Sequence, residues 1–294
     1  MSRISRHARC TIPPAMDVRE ITIDELVERY SVLLFDAFGV LSYSVGALPG
    51  AAALIDRLNR VGKPYYVLTN DSSALPERRA ARCRSEGLNV DAARIITSGG
   101  LLTGYFAAND LRGSNCAVLG TVDSAEFVRR AGGIVVDAAD EFDVLVVGDQ
   151  DGFPFVDGVN AALTTLFRMI DGGDTPRLVL PNPDIVFPDD DGFGMASGSV
   201  ALIIESALEQ RYPDRAELQF DRLGKPNGAI FAEAHARSGT MDMVMLGDTL
   251  ETDIRGANSF GIESALVAGG VTPVAKIAAS EDMPTYWIRD LQSR

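Results

Sequence analysis

Side chains suited to chemistry follow directly after several short apolar runs of this sequence. Asp36, Thr69, Asn70 and Asp248 each stand at the end of such a run. A carboxylate there suits a nucleophile or a ligand of a divalent ion, whereas a hydroxyl or an amide can hold phosphate oxygens. Because ligands bind at the carboxyl ends of the strands in an open parallel sheet, we expect these residues to converge. Taken singly, Asp36 could also cap a turn.

Two further residues extend this set. Asp253 lies shortly after Asp248, where hard oxygen ligands suit Mg²⁺, with a helix cap as the alternative role for this aspartate. Lys225 stands between Gly224 and Pro226, where it could neutralise charge on a transferred phosphoryl group or be an ordinary surface lysine. The residues alone leave both choices open.

The elements that must position these residues alternate along the chain. Short apolar runs predict strands, and the stretches between them carry apolar residues at helical spacing. This rhythm is typical of βαβ units, so we expect an α/β fold with a Rossmann-like three-layer core and a parallel sheet. The predicted strands are 32–35, 65–68, 95–96, 117–119, 134–136, 144–147, 178–180, 243–246 and 265–267, and the clearest helices are 51–61, 76–86, 200–210 and 230–237. The stretch 181–194 is predicted to be the most loop-like part of the interior.

The composition argues against several classes of protein. The 294 residues carry 41 acidic and 27 basic side chains, a net charge of −14, which repels nucleic acid and anionic membrane surfaces. Three dispersed cysteines and two histidines form no zinc pattern. No apolar stretch is long enough to cross a bilayer, and the N-terminus lacks the apolar core of a secretory signal. We therefore expect a cytoplasmic protein with an N-terminal tail at 1–20.

The order of the motifs is more specific than any one of them. Asp36 and Thr69 at strand ends, then Lys225 between glycine and proline, and finally Asp248 with Asp253 resemble the four-motif signature of the haloacid dehalogenase superfamily of hydrolases. The resemblance runs from about residue 33 to residue 271. It implies an Mg²⁺-dependent hydrolase that acts on a small phosphorylated metabolite.

The spacing of the motifs indicates where a second domain is inserted. About 33 residues separate Asp36 from Thr69, too few for a domain, whereas about 156 separate Thr69 from Lys225, enough for a cap of roughly 100 residues. We expect a core of 21–111 and 209–294 with an inserted α/β cap domain at 112–208. This is similar to the branch that includes N-acetylglucosamine-6-phosphate phosphatases, p-nitrophenyl phosphatases and predicted sugar phosphatases. Caps of this branch often mediate dimers, which implies a homodimer through the cap.

The resemblance also implies a role for each residue of the predicted centre. Asp36 would attack phosphorus to form an aspartyl-phosphate. The carboxylates of Asp36 and Asp248 and the backbone carbonyl of Phe38 would bind Mg²⁺, with Asp253 close behind.

Phosphate and substrate binding are expected from other residues. Thr69 and the Asn70 amide would bind phosphoryl oxygens, and Lys225 would steady the Asp36 carboxylate and the developing charge. In the cap, Asn182 and Asp184 are expected to bind substrate in a specificity loop at 182–188, for which a plain turn is the alternative. Cap movement would then gate access.

Phe38 departs from the pattern of the family. Phosphatases of this superfamily have a second aspartate at that position, and losing general acid–base help costs on the order of 10² to 10⁴ in rate. One hypothesis is a phosphatase that is slow or takes its acid–base from elsewhere. A second is a metal-independent hydrolase of carbon–halogen bonds, since haloacid dehalogenases have an aromatic residue there. A third is a catalytically weakened protein that binds a phosphorylated ligand. The candidates for a displaced acid are Asp71, Asp184, Asp189, Asp190 and Asp191.

Overall fold

A computed structural model describes residues 18–43, 46–189, 192–272, 276 and 280–292. Most of the expected tail, including residues 1–17, therefore lies outside the described residues. The last two residues of the expected tail, Arg19–Glu20, form an edge strand of the larger of the two parallel β-sheets. Strands and helices are numbered along the chain.

The larger sheet is parallel between all its neighbouring strands. In spatial order its strands are β1 (Arg19–Glu20), β16 (Tyr286–Ile288), β15 (Glu263–Val267), β14 (Met243–Gly247), β2 (Val32–Asp36), β5 (Tyr65–Thr69) and β6 (Ile95–Thr97). Strands β2 and β5 end in the predicted site residues Asp36 and Thr69, Asp248 directly follows β14, and these three strands are neighbours. Their carboxyl ends therefore meet at one edge of the sheet.

A second parallel sheet contains the strands of the predicted cap. Its order is β13 (Asp221–Arg222), β10 (Arg177–Leu180), β9 (Val144–Val147), β7 (Asn115–Leu119) and β8 (Ile134–Val136). Strand β13 lies beyond residue 208, where the cap was expected to end. Nothing in a two-residue strand with polar side chains distinguishes it from a loop in the sequence.

Two antiparallel hairpins complete the strands of the described residues. They are β3 (Ser42–Tyr43) with β4 (Gly46–Ala47), and β11 (Val186–Asp189) with β12 (Gly192–Met195). The expectation that 181–194 is loop-like was therefore wrong for most of its second half. This hairpin pairs its own backbone while its side chains remain largely exposed, so no buried apolar pattern marks it in the sequence.

Helices connect the strands and cover the sheets. They are α1 (Ile23–Arg29), α2 (Ala51–Val61), α3 (Pro76–Ser85), α4 (Leu102–Ala108), α5 (Val122–Arg130), α6 (Phe155–Asp171), α7 (Ser197–Arg211), α8 (Ala229–Ser238) and α9 (Arg255–Phe260). A π-helical turn, Leu250–Ile254, precedes α9. None of the helices in the described part of the chain is both long and apolar enough to pass through a bilayer.

The alternation of β2 side chains between two faces produces the three layers of the core. Leu33 and Phe35 pack with Leu54 of α2, whereas Leu34 packs on the opposite face with Phe231 of α8. The α/β class with a three-layer core is thereby confirmed. The second face continues into the smaller sheet, because the same cluster also contains Val144, Val146 and Val179.

The junction between the sheets is also held by hydrogen bonds. The hydroxyl of Thr121 donates to the carbonyl of Ser73 at 2.7 Å, and that of Ser124 donates to the carbonyl of Ser72 at 2.9 Å. The backbone N–H of Leu75 donates to Asp123 Oδ2 at 3.0 Å. The chain just after Thr69 is thus bound to the start of α5.

Asp149 lies beside this junction and should make stability depend on pH. Burial raises its pKa from 3.8 to about 6. Since the folded protein then binds the proton more tightly than the unfolded chain, the wild type loses this stabilisation as pH rises through about 6. At pH 7.5, Asp149→Asn should therefore increase the free energy of unfolding by roughly 1–3 kcal/mol, with little change below pH 4. Denaturant titrations across this pH range would measure the effect, with Asp151→Asn, which changes an exposed side chain, as the control. If the assignment is wrong, the difference in free energy of unfolding between Asp149→Asn and the wild type will not change with pH.

Candidate active site

Three carboxylates from separate parts of the chain meet at the carboxyl edge of the larger sheet. Asp36 ends β2, Asp248 directly follows β14, and Asp253 lies in the π-helical turn after it. One oxygen from each lies within 4.8 Å of the others. Asp248 and Asp253 are buried, whereas the Asp36 side chain keeps 14% of its surface exposed. The Asp36 side chain therefore remains partly accessible to solvent.

Lys225 is the cation at the centre of this group. It is 3% exposed, and its Nζ donates to Asp36, to Asp253 Oδ1 at 2.7 Å and to the carbonyl of Leu68 at 3.3 Å. Burial alone would lower the pKa of Lys225, but the carboxylates of Asp253 and Asp36 hold it above its usual value. The lysine is therefore charged, and the surface alternative considered from the sequence is wrong.

Asp253 is held differently from the other two carboxylates. Its Oδ1 accepts from Lys225, and its Oδ2 accepts from the backbone N–H groups of Asp248 and Thr249, each at 3.2 Å. It therefore fixes both the lysine and the loop that carries Asp248. Its assignment as a metal ligand stays a prediction.

Asp248 is oriented by residues that the sequence reasoning missed. The N–H of Val271 donates to its Oδ2 at 2.7 Å and the Thr249 hydroxyl donates to its Oδ1 at 3.1 Å, while the N–H of Thr272 donates to its carbonyl at 3.1 Å. The glycine pair Gly269-Gly270 after β15 was the available signal, because glycine allows a close backbone approach.

The charges at this centre fit a divalent cation. Burial, and then the neighbouring acids, raise the pKa of Asp36 despite Lys225, and burial with Asp253 raises that of Asp248 to about 6. One lysine offsets three carboxylates only in part. A hard cation bound by carboxylate oxygens would offset the rest.

The phosphate-binding candidates lie beside this centre. Thr69 Oγ1 accepts from the N–H of Asp71 at 3.2 Å. The backbone N–H of Asn70 has no hydrogen-bond acceptor among the described residues, so it can serve an anion. The Asn70 side chain, in contrast, is committed to the protein, since its Oδ1 accepts from the N–H of Lys225 at 2.7 Å and its Nδ2 donates to the Lys225 carbonyl at 2.9 Å. No pattern in the sequence predicted the hydrogen bonds between Asn70 and Lys225.

Phe38 faces an aromatic partner. Its ring meets that of Tyr43 edge to face, with centroids 5.3 Å apart, and the Tyr43 hydroxyl donates to the carbonyl of Gly269 at 3.0 Å. The sequence placed Phe38 where a proton-transferring side chain was expected. A phenyl ring cannot supply that proton.

Gly39 approaches the carboxylate of Asp248 closely enough to give a prediction. It has φ +87°, and an added Cβ would lie 2.0 Å from Asp248 Oδ2. We expect Gly39→Ala to displace that carboxylate and to lower kcat/KM by on the order of 10²-fold. Gly62→Ala is a matched control, since Gly62 also has positive φ (+68°) but no atom within 4 Å of its added Cβ. Equal kinetics in both variants would contradict the expected displacement.

The cap candidates separate into those near the centre and those outside the described residues. Asp184 Oδ1 accepts from Asn70 Nδ2 at 2.9 Å, so Asp184 lies beside the predicted phosphate site. Asn182 Oδ1 accepts from the N–H of Asp184 at 3.0 Å and shapes this segment. The side chain of Asp189 and the whole of 190–191 lie outside the described residues. Substrate binding by Asn182 and Asp184 stays a prediction.

Comparisons with known proteins show which family the chain resembles. A haloacid dehalogenase-like hydrolase family model matches residues 33–133, and a second model of HAD-hydrolase-like proteins matches 222–293. The dihydroxyacetone phosphatase of Corynebacterium glutamicum (strain R) is 30% identical over 260 residues, which is 88% of each chain.

Solved structures show the same likeness. A possible sugar phosphatase of the HAD superfamily from Cytophaga hutchinsonii aligns with TM-score 0.80 and 30% identity, covering 94% of this chain and 99% of that one. The glycerol phosphate phosphatase of Mycobacterium tuberculosis in complex with calcium aligns with TM-score 0.76 and 25% identity, covering 90% and 75%. On its fold, its motifs and these relatives, the chain belongs to the haloacid dehalogenase-like hydrolases, in the branch whose members are named sugar phosphatases and p-nitrophenyl phosphatases.

Proposed function

We propose that this enzyme is an Mg²⁺-dependent phosphatase that acts on a small, sugar-phosphate-like metabolite through an aspartyl-phosphate at Asp36. The observation that carries the proposal is the meeting of Asp36, Asp248 and Asp253 within 4.8 Å, with Lys225 between Asp36 and Asp253. The relatives named as dihydroxyacetone, sugar and glycerol phosphate phosphatases support a small phosphorylated substrate. The calcium complex of one relative supports a divalent ion.

The positions of the residues support a role for each of them in this proposal. The exposed side of Asp36 can attack phosphorus, while Thr69 and the backbone N–H of Asn70 receive the phosphoryl oxygens. Asp36, Asp248 and the backbone carbonyl of Phe38 would hold Mg²⁺, with Asp253 behind them. When bound, the ion supplies positive charge that offsets the carboxylates and the phosphate.

Lys225 keeps the Asp36 carboxylate aimed and favours its charged form. Its hydrogen bonds to Asp36 and Asp253 fix the nucleophile, and its charge offsets the additional negative charge that a phosphate brings. The lysine is therefore part of the machinery for phosphoryl transfer.

A substrate panel tests the proposal. Triose, hexose and glycerol phosphates, together with p-nitrophenyl phosphate, would be assayed in Mg²⁺ and in excess chelator, with 2-haloacids as a control. We expect phosphate release only with the metal. Halide release from the haloacids without metal would instead support the carbon–halogen hydrolase suggested by Phe38, and ligand binding without any release would support a weakened binding protein.

A further inference from the structure

Cleavage of a phosphate ester at Asp36 needs a proton donor that the immediate surroundings of the nucleophile lack. A sugar or glycerol alkoxide leaves poorly unless its oxygen is protonated as the bond to phosphorus breaks. Lys225 is charged but holds Asp36 and Asp253, and the ring of Phe38 carries no exchangeable proton. The Tyr43 hydroxyl beside Phe38 already donates to the carbonyl of Gly269 at 3.0 Å. We therefore expect the proton donor on another element.

Asp71 does not meet this need, although it directly follows Asn70. Its Oδ1 accepts from the N–H and the hydroxyl of Ser73, and its Oδ2 accepts from Arg79 Nε. Burial acts to raise its pKa, but the hydrogen bond and charge of Arg79 hold the pKa of Asp71 below its usual value. A carboxylate paired in this way stays ionised and donates no proton.

Asp184 is placed differently. Its Oδ1 accepts from Asn70 Nδ2 at 2.9 Å, and the same Asn70 side chain binds both backbone polar groups of Lys225. The Asn70 side chain thus links Asp184 to Lys225, which donates a hydrogen bond to Asp36. The second oxygen, Asp184 Oδ2, receives no hydrogen bond from any residue of the described chain.

The backbone around Asp184 is fixed from both sides. Asn182 Oδ1 accepts from the N–H of Asp184, and the Asp184 carbonyl accepts from the N–H of Gly198 in the first turn of α7 at 2.9 Å. Gly224, beside Lys225, packs so closely that an added Cβ would lie 2.6 Å from Asn70 Oδ1 and 2.8 Å from the carbonyl of Pro181. The segment from Pro181 to Asp184 therefore packs closely against Asn70 and Gly224.

We propose that Asp184 is the general acid and base of the reaction, in the place where Phe38 provides none. As the Asp36 oxygen forms its bond to phosphorus, the ester P–O bond breaks, and the Asp184 proton passes to the leaving oxygen to give the free alcohol. In the second step water attacks phosphorus, its proton returns to Asp184, and the bond between phosphorus and Asp36 breaks to release inorganic phosphate. This inference rests on the proposed phosphatase function.

The electrostatic surroundings of Asp184 agree with this role. Burial raises its pKa, while the hydrogen bond from Asn70 and the charge of Lys225 act in the other direction and Asp253 adds to the increase. A raised pKa keeps the acid protonated to higher pH. The rate of phosphoryl transfer to Asp36 should therefore fall as pH rises through the pKa of Asp184.

Two esters of similar shape test the proposal with Asp184→Asn. This variant keeps an oxygen that can accept from Asn70, so the segment should stay in place. Phenyl phosphate and p-nitrophenyl phosphate differ mainly in the basicity of the leaving oxygen, and kcat/KM reports transfer to Asp36 alone. We expect kcat/KM to fall by on the order of 10²-fold for phenyl phosphate, by less than about 10-fold for p-nitrophenyl phosphate, and to lose its alkaline decline.

Asp149→Asn is the matched control, because Asp149 is also an acid with a raised pKa, but among the described residues no hydrogen bond joins it to Asn70. It should leave the ratio between the two substrates unchanged. An equal loss for both substrates in Asp184→Asn, or no loss, would overturn the role of Asp184. The proposed function would survive either result as long as Asp36→Asn abolishes turnover.

Discussion

Asp36→Asn is expected to lower hydrolysis of p-nitrophenyl phosphate by at least about 10⁴-fold, because the variant lacks the carboxylate that attacks phosphorus. Asparagine has nearly the same volume and keeps an oxygen that can accept from Lys225 Nζ, so the fold should persist. Steady-state assays in Mg²⁺ measure the loss. Acid-quenched wild-type protein should also carry one phosphoryl group on the peptide that contains Asp36, which mass spectrometry can detect.

The matched control for this experiment is Asp56→Asn, which removes one exposed carboxylate from α2. It should retain wild-type turnover and the phosphorylated peptide. Wild-type activity in Asp36→Asn, or a phosphoryl group found elsewhere in the quenched protein, would refute the nucleophile assignment.

Lys225→Met should have the largest effect on stability. The variant leaves the carboxylates of Asp36, Asp248 and Asp253 together without the buried ammonium that now contacts two of them. Breaking a buried ion pair by removing one partner costs about 3–5 kcal/mol, so the free energy of unfolding in chelator should fall by that amount. Loss of the charge should also lower turnover by on the order of 10³-fold.

Two comparisons separate this electrostatic effect from a simple loss of packing. Mg²⁺ should restore part of the lost stability, since a bound cation again offsets the carboxylates. The half-buried Lys63 provides the control, because Lys63→Met changes the same residue type away from the acidic cluster. The free energies of unfolding of both variants would be measured by denaturant titration with and without Mg²⁺. Equal values for Lys225→Met and Lys63→Met would contradict the expected role of Lys225.

Much of the fold could be predicted because apolar runs mark the strands of parallel sheets directly. The predicted runs at 134–136 and 144–147 coincide with β8 and β9, and the helix predicted at 51–61 is α2. Strands β1, β3 and β13 were not predicted, since each has two residues and no buried apolar pattern. Such strands depend on partners that are distant in sequence.

The site was predictable to a similar extent and for a related reason. Asp36 and Thr69 end central strands and Asp248 directly follows another, so the topology of a parallel sheet brings them together. The hydrogen bonds that join Asn70 to Asp184 and Lys225 depend instead on how the inserted segment packs on the core. No spacing in the sequence encodes that contact, although each residue was singled out for another reason.

The apolar cluster that spans both sheets bears on how the substrate range of this enzyme could be redesigned. Val144, Val146 and Val179 pack in one cluster with Leu34 and Leu68 of the larger sheet. A replacement for the predicted cap must therefore match this buried surface as well as the points where the chain enters and leaves. Changes confined to the exposed hairpin β11–β12 and nearby loops would leave this buried surface intact.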